Sequence, residues 1–124
     1  MKALLLPALL LASAATAAPA PHSAFLTLDT HLDTGMSFAR PGWDFATRHS
    51  YANDIAQLDI PRMQDGALDG GFFAIYTEQG PLTAKGYANA LAFARGRSVL
   101  IDRTIAANGK AIAPALTAAD ARRL

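Results

Sequence analysis

A chain of 124 residues, 52% of them hydrophobic, is long enough for one small domain. It is too short for a closed (β/α)8 barrel, which takes about 250 residues. Eleven basic residues against ten acidic ones and no cysteine argue against nucleic acid or an anionic membrane surface as main partner, and exclude disulfides, so stability must come from burial or metal.

The chain opens on Met1-Lys2, an apolar run from Ala3 to Leu11 broken by Pro7, and small residues from Ala12 to Ala20. This is the three-part pattern of a secretory signal peptide. Ala15-Thr16-Ala17 puts small residues at both recognition positions, so residues 1–17 read as signal peptide and 18–24 as a Pro/Ala linker. The apolar run falls short of the roughly 20 residues a membrane span needs. No transmembrane segment is expected after cleavage, no cysteine is available for a lipid anchor, and the expected location is periplasmic or secreted. Without Lys2 the mature chain has ten basic and ten acidic residues.

Phe25 to His31 reads as the first strand. Alternation places Phe25, Thr27, Asp29, His31 and Asp33 on one face and Leu26, Leu28, Thr30 and Leu32 on the other. Gly35 to Ser50 reads as loop, with a turn at Arg40-Pro41-Gly42 and Trp43 as its anchor. A short helix is expected over Tyr51 to Leu58. Asp59-Ile60-Pro61-Arg62-Met63 predicts a helix start, with Asp59 as cap and proline in the first turn, ending at Gly66. Gly70 to Tyr76 is apolar on both faces, the mark of a doubly covered parallel strand.

Pro81 to Ala107 predicts a long helix. Tyr87, Leu91, Ala94, Ser98, Ile101 and Ile105 form its inward stripe, and Asn108-Gly109 is expected to end it in left-handed geometry. Thr117 to Asp120 resembles a capping box. Strands alternating with helices favour an α/β fold.

One spacing points to chemistry. Residues two apart on a strand share a face, with Cα atoms roughly 6.5 Å apart. His31 and Asp33 could therefore converge on one divalent ion, with zinc suited to imidazole and carboxylate. The end of a parallel strand is where such folds build active sites, and Asp29 could orient a ligand from behind. The plainer reading is a strand-end histidine bonded to a neighbouring acid.

The surrounding residues add a resemblance. Asp29-Thr30-His31-Leu32-Asp33, then Asp59-Ile60-Pro61-Arg62-Met63, then Gly70-Gly71-Phe72-Phe73-Ala74-Ile75-Tyr76 together resemble the N-terminal region of the membrane (renal) dipeptidase family. Ile101-Asp102-Arg103 and Leu116 to Ala121 continue the likeness, which covers 25–124. It implies the N-terminal portion of an amidohydrolase-like (β/α)8 TIM barrel, incomplete in this chain, and a zinc metallopeptidase hydrolysing a dipeptide. It also implies that His31 and Asp33 hold one zinc of a two-zinc site, whose bridging glutamate and further histidines have no counterpart here. The expected function is thus a dipeptidase represented by a fragment inactive alone, with a partial metal site and no assigned catalytic or substrate-binding residue. The alternatives are a non-catalytic interaction module and a half-site completed across a homodimer.

The remaining candidates have plainer readings. Glu78 reads as a solvated loop acid before a substitute ligand, His22 as a surface residue, and His49 and Trp43 as loop packing before substrate contacts. Arg62 is expected to pair with a nearby acid. Arg95, Arg97, Arg122 and Arg123 read as solvated helix faces, and Tyr76 is kept as a pocket residue.

Overall fold

The computed structural model describes residues 25–123; the expected signal peptide and linker, with His22, lie outside the described residues. The order is β1 (Leu28–Leu32), a 3-10 helix (Asp33–Ala39), α1 (Tyr51–Asp54), α2 (Ile60–Asp65), β2 (Gly70–Phe73), α3 (Ala84–Ala107) and α4 (Ala118–Ala121). The strands pair in parallel, with α1 and α2 in the crossover that parallel neighbours require. Both strands therefore end at the same sheet edge.

Close approach of the strands depends on Gly71. A Cβ there would lie 2.5 Å from Leu32 Cδ1 and 2.9 Å from the Asp29 carbonyl oxygen, so no other residue fits without moving β1. Below the pairing, Asp69 and Gly70 N–H donate to Thr27 O at 3.1 and 3.3 Å, and Thr27 N–H donates to the Asp69 carboxylate at 2.8 Å. The expected strand start at Phe25 moves to Leu28, because the segment before it is tied by these turn contacts and not by the ladder.

The register corrects the simple alternation. Asp29 opposes Gly71 and Leu32 opposes Phe73, so three steps along β1 match two along β2. β1 carries one extra residue at Thr30-His31, a bulge that locally re-aims side chains. The Asp29 carboxylate accepts the His31 N–H at 2.8 Å, satisfying a backbone donor at the bulge. Asp33, expected on the strand face, instead starts the 3-10 helix, which runs on through the first residues of the expected loop.

The core gathers where α2 meets the segment before it. Phe45, Ile60 and Met63 are buried, with Phe38, Trp43, Leu58, Leu68, Phe73 and Ile112 packed against them. Phe38 sits 5.3 Å from Phe45 and 5.2 Å from Phe73 by ring centroid, in tilted and edge-on geometries that aromatic pairs prefer.

Asp59 anchors this region with no exposed surface. Its carboxylate accepts Arg62 N–H at 2.8 Å as the expected cap, His49 N–H at 2.8 Å and Arg62 Nε at 2.7 Å. Arg62 also donates to Ala56 O at 3.0 Å. Burial pushes the Asp59 carboxyl up, but the His49 and Arg62 N–H bonds and the guanidinium outweigh it and hold it below the usual carboxylate range.

Three helix expectations change. α1 stops at Asp54 and not Leu58, because Ile55 turns left-handed at φ 55°. α3 begins at Ala84, capped by Thr83 Oγ1, which accepts Gly86 N–H at 3.1 Å. Its C-terminus is not left-handed: Asn108 has φ −109°, and its Nδ2 donates to Thr104 O at 2.9 Å. The inward stripe also rotates. Tyr87 and Leu91 are exposed, while Arg97 and Ile101 are buried, so Arg97 is not a solvated residue. Packing on the 3-10 helix selects this face, with Gly35 close to Ile101.

The expected strand to Tyr76 ends at Phe73, and it is not covered on both sides among the described residues: Phe72 is 63% exposed, and Ile75, just past the strand, 47%, although the run has the composition of a doubly buried strand. α4 forms as expected, with Thr117 Oγ1 accepting Asp120 N–H and Asp120 accepting Thr117 N–H.

Two outcomes follow from this arrangement. Gly71→Ala is expected to lower stability by about 2 kcal/mol through overpacking against β1, read as a lower urea midpoint. Asp59→Ala is expected to cost about 3 kcal/mol, because Arg62 loses its buried partner. In the unsubstituted chain the Asp59 contribution is complete above its unfolded value of 3.8 and is lost as pH falls through its lower folded value. Thermal melts between pH 2 and 7 check this, with a smaller acid loss in Asp59→Ala.

Candidate metal centre

His31 and Asp33 stand at the end of β1, one at the bulge and one at the first position of the 3-10 helix. Their side chains meet despite the broken alternation: His31 Nε2 lies 3.2 Å from Asp33 Oδ1. Both are open, with side chains 67% and 65% exposed. Asp29 holds the His31 backbone by its N–H and so sets where the imidazole starts. That role is backbone anchoring, and no bond from Asp29 to the imidazole occurs.

The pair opens into a cleft of about 390 Å³, whose other walls include Thr34, Arg40, Ile55 and Gln57. The far wall is a braced loop. Trp43 stacks on His49 with centroids 4.4 Å apart and planes at 13°. His49 Nδ1 pairs with Asp54 Oδ2, and its Nε2 faces Asp44 O at 2.8 Å. Trp43 Nε1 donates to Asp54 at 3.2 Å, and Arg40 Nη1 donates to Asp54 O at 2.7 Å. The Ala56 N–H bond, opposed in part by burial and helped by His49, keeps the Asp54 carboxyl below the usual range. Trp43 and His49 thus hold the loop together, as their plainer reading expects.

Ile55, at the end of this braced loop, has φ 55° and ψ 10°, a region that strains a β-branched residue. Its side chain is 62% exposed, so burial does not explain the conformation. The bonds on both sides of it, at Asp54 and Ala56, hold it there.

The donor set fits one ion in part. Two donors on a tetrahedral zinc, each at about 2.0–2.2 Å, lie roughly 3.4 Å apart, near the observed His31–Asp33 separation. Among the described residues no group of three or more His, Asp or Glu side chains gathers around an ion. Glu78 is not brought to the pair. It lines a second cleft with Tyr76, Asn89 and Arg97, and Met36 lines both clefts. Tyr76 is therefore at a cleft, as expected.

Two residues here were not read as site residues from the sequence. Arg97 had a signal: it falls three or four positions from Ala94 and Ile101 on one helical face. Arg40 had none, because its place on the cleft wall comes from a loop fold.

A family model described as membrane dipeptidase (peptidase family M19) matches residues 17–124. The chain belongs to the membrane dipeptidase family. No curated protein matches the chain. Family membership places it among hydrolases acting on peptides. The dipeptidase family's fold is TIM-barrel-like, and the two parallel strands with their helices are consistent with an incomplete barrel. Among the described residues no helix is long and apolar enough to cross a membrane.

Strain at the cleft wall has a measurable consequence. Ile55→Gly is expected to raise stability by about 1 kcal/mol, because glycine adopts this backbone without a Cβ clash. A higher urea midpoint, with the His49 and Trp43 resonances unmoved, checks it.

Proposed function

We propose that this chain supplies the first half of the zinc site of an exported dipeptidase, with His31 and Asp33 as ligands of one zinc. The observation that carries the reading is the 3.2 Å approach of His31 Nε2 and Asp33 Oδ1 at the sheet edge where both strands end. Membership in the membrane dipeptidase family gives that pair its chemical context.

The residues have separable tasks. His31 offers Nε2, and Asp33 offers a carboxylate oxygen that also balances the ion's charge. Asp29 holds the His31 backbone and so limits how the ring can move. When bound, a zinc pair supplies an activated water and polarises the scissile carbonyl. Two donors leave most coordination positions of two metals to ligands beyond the described residues, so the chain alone is inactive on dipeptides. Export is supported by the signal-type sequence of residues 1–17, at whose last residue the family match begins.

A second reading is an interaction module that associates through an uncovered apolar face, including association as a homodimer. The exposure of Phe72, Ile75 and Leu28 beside the sheet favours it. Sedimentation of a compact monomer at all concentrations, with or without zinc, would count against it.

Zinc titration of the chain tests the leading reading. One zinc is expected to shift the His31 ring resonances, with affinity falling at least tenfold in His31→Ala and in Asp33→Ala. Binding unchanged by both substitutions would overturn the ligand assignment. Dipeptide turnover by the isolated chain, with about two zinc ions bound, would overturn its inactivity.

A further inference from the structure

The braced loop facing His31 and Asp33 holds a histidine with an acceptor at each ring nitrogen. His49 Nδ1 pairs with the Asp54 carboxylate, and its Nε2 lies 2.8 Å from the Asp44 carbonyl oxygen. Neither acceptor has a hydrogen to give. A carbonyl carries none, and the Asp54 carboxyl is kept charged below the usual range, first by the Ala56 N–H bond. A neutral imidazole donates from one nitrogen only, whereas the imidazolium donates from both. Both contacts are therefore hydrogen bonds only when His49 carries two ring hydrogens. The surroundings suit that charge. Trp43 stacks on the ring with centroids 4.4 Å apart, and an indole face attracts cations. The His49 side chain is 12% exposed, so water has little access to replace a lost bond.

What the ring holds is the backbone around Ile55. Asp54 uses Oδ2 for His49 and Trp43 Nε1, and Oδ1 for the Ala56 N–H. One carboxylate thus ties the ring to both sides of Ile55, whose φ of 55° is unfavourable for a β-branched residue. Ile55, Ala56 and Gln57 line the cleft into which His31 and Asp33 open. The other charged groups near His49 have partners of their own. Asp59 accepts the His49 N–H and is matched by Arg62, and Arg40 donates to Asp54 O. The Asp44 carboxylate accepts Ala46 N–H and Thr47 Oγ1. Carboxylates and arginines keep their charge across neutral pH, so there the ring alone changes.

We propose that this loop is a proton-operated latch: with two ring hydrogens His49 fixes the cleft wall from Ile55 to Gln57, and loss of one hydrogen to water releases it. The neutral ring keeps one bond and turns a lone pair toward the other acceptor, so an attraction becomes a repulsion. With the ring no longer holding both Asp54 and Asp44, Ile55 relaxes out of the left-handed region. The latch is closed on the acid side of the His49 titration and open on the alkaline side. His31 and Asp33 stay at the end of β1 while the opposite wall moves. A ligand in the cleft therefore meets a fixed wall in one state and a mobile one in the other. The latch rests on the ring's bonds and not on the zinc assignment.

The test uses the full chain, labelled with ¹⁵N in the histidine rings and the backbone and titrated upward from about pH 5 without added metal. At the start both His49 ring nitrogens are expected to show protonated-type shifts, and Ile55 a strong Hα–HN Overhauser effect, the mark of positive φ. Raising the pH is expected to move the His49 ring and the Ile55, Ala56 and Gln57 amides along one curve, and to remove that Overhauser effect. In His49→Gln, which keeps a donor and an acceptor, the His31 ring is expected to titrate as before while the loop transition disappears. Should that variant unfold, Asp54→Asn, which keeps an acceptor for the Ala56 N–H but no charge, is expected to move the loop transition to lower pH. A His49 ring with one protonated nitrogen while the loop holds its shape would overturn the proposal, as would an Ile55 that ignores the His49 titration. So would a loop transition that persists in His49→Gln or keeps its midpoint in Asp54→Asn. None of these outcomes needs zinc, so failure of the metal assignment leaves the latch standing.

Discussion

The Asp59 carboxylate is the contact on which most of this structure depends. It is fully buried, yet all its bonds come from groups that need an acceptor: the first free amide of α2, the His49 amide and the Arg62 guanidinium. One side chain thereby caps a helix, closes the loop before it and neutralises an arginine. α2 can then present Ile60 and Met63 to Phe45, and this small core holds the crossover between the strands. A carboxylate can do this because it accepts several donors at once, which no apolar replacement of similar size can.

The approach of His31 and Asp33 depends on a different device, a defect in regular pairing. A strictly alternating strand would set His31 and Asp33 side by side on one sheet face. The chain instead spends an extra residue at the bulge and turns into a 3-10 helix at Asp33. The two side chains still meet, because the helix brings Asp33 back over the end of β1. Arg97 supports that helix from outside through Gly35 O, so α3, distant in sequence, helps fix where Asp33 stands. The opposite wall is fixed by the Trp43–His49–Asp54 cluster, whose bonds hold Ile55 in a conformation it would not choose alone.

Much was legible in the residues themselves. Asp59-Ile60-Pro61 announced a capped helix, Thr117 to Asp120 a capping box, and both formed because their bonds are made within a few residues. The apolar run from Gly70 announced a strand, though not the close approach to β1 that Gly71 permits. Less legible was anything set by contacts between distant segments. The stripe on α3 was drawn through Tyr87 and Leu91, because apolar spacing alone cannot say which of two faces meets a neighbour. Burial of Arg97 would have looked unfavourable until Gly35 O and the Phe93 ring were placed beside it.

By itself the sequence determined the α/β alternation, the caps of α2 and α4 and the His31–Asp33 spacing, since each follows from local propensity or from hydrogen bonds spanning few residues. Tertiary structure alone decided the bulge in β1, the rotated face of α3, the enclosure of Arg97 and the left-handed turn at Ile55. Each of those requires the chain to bring together groups far apart along it, and the free energy of such contacts does not exist until the fold does.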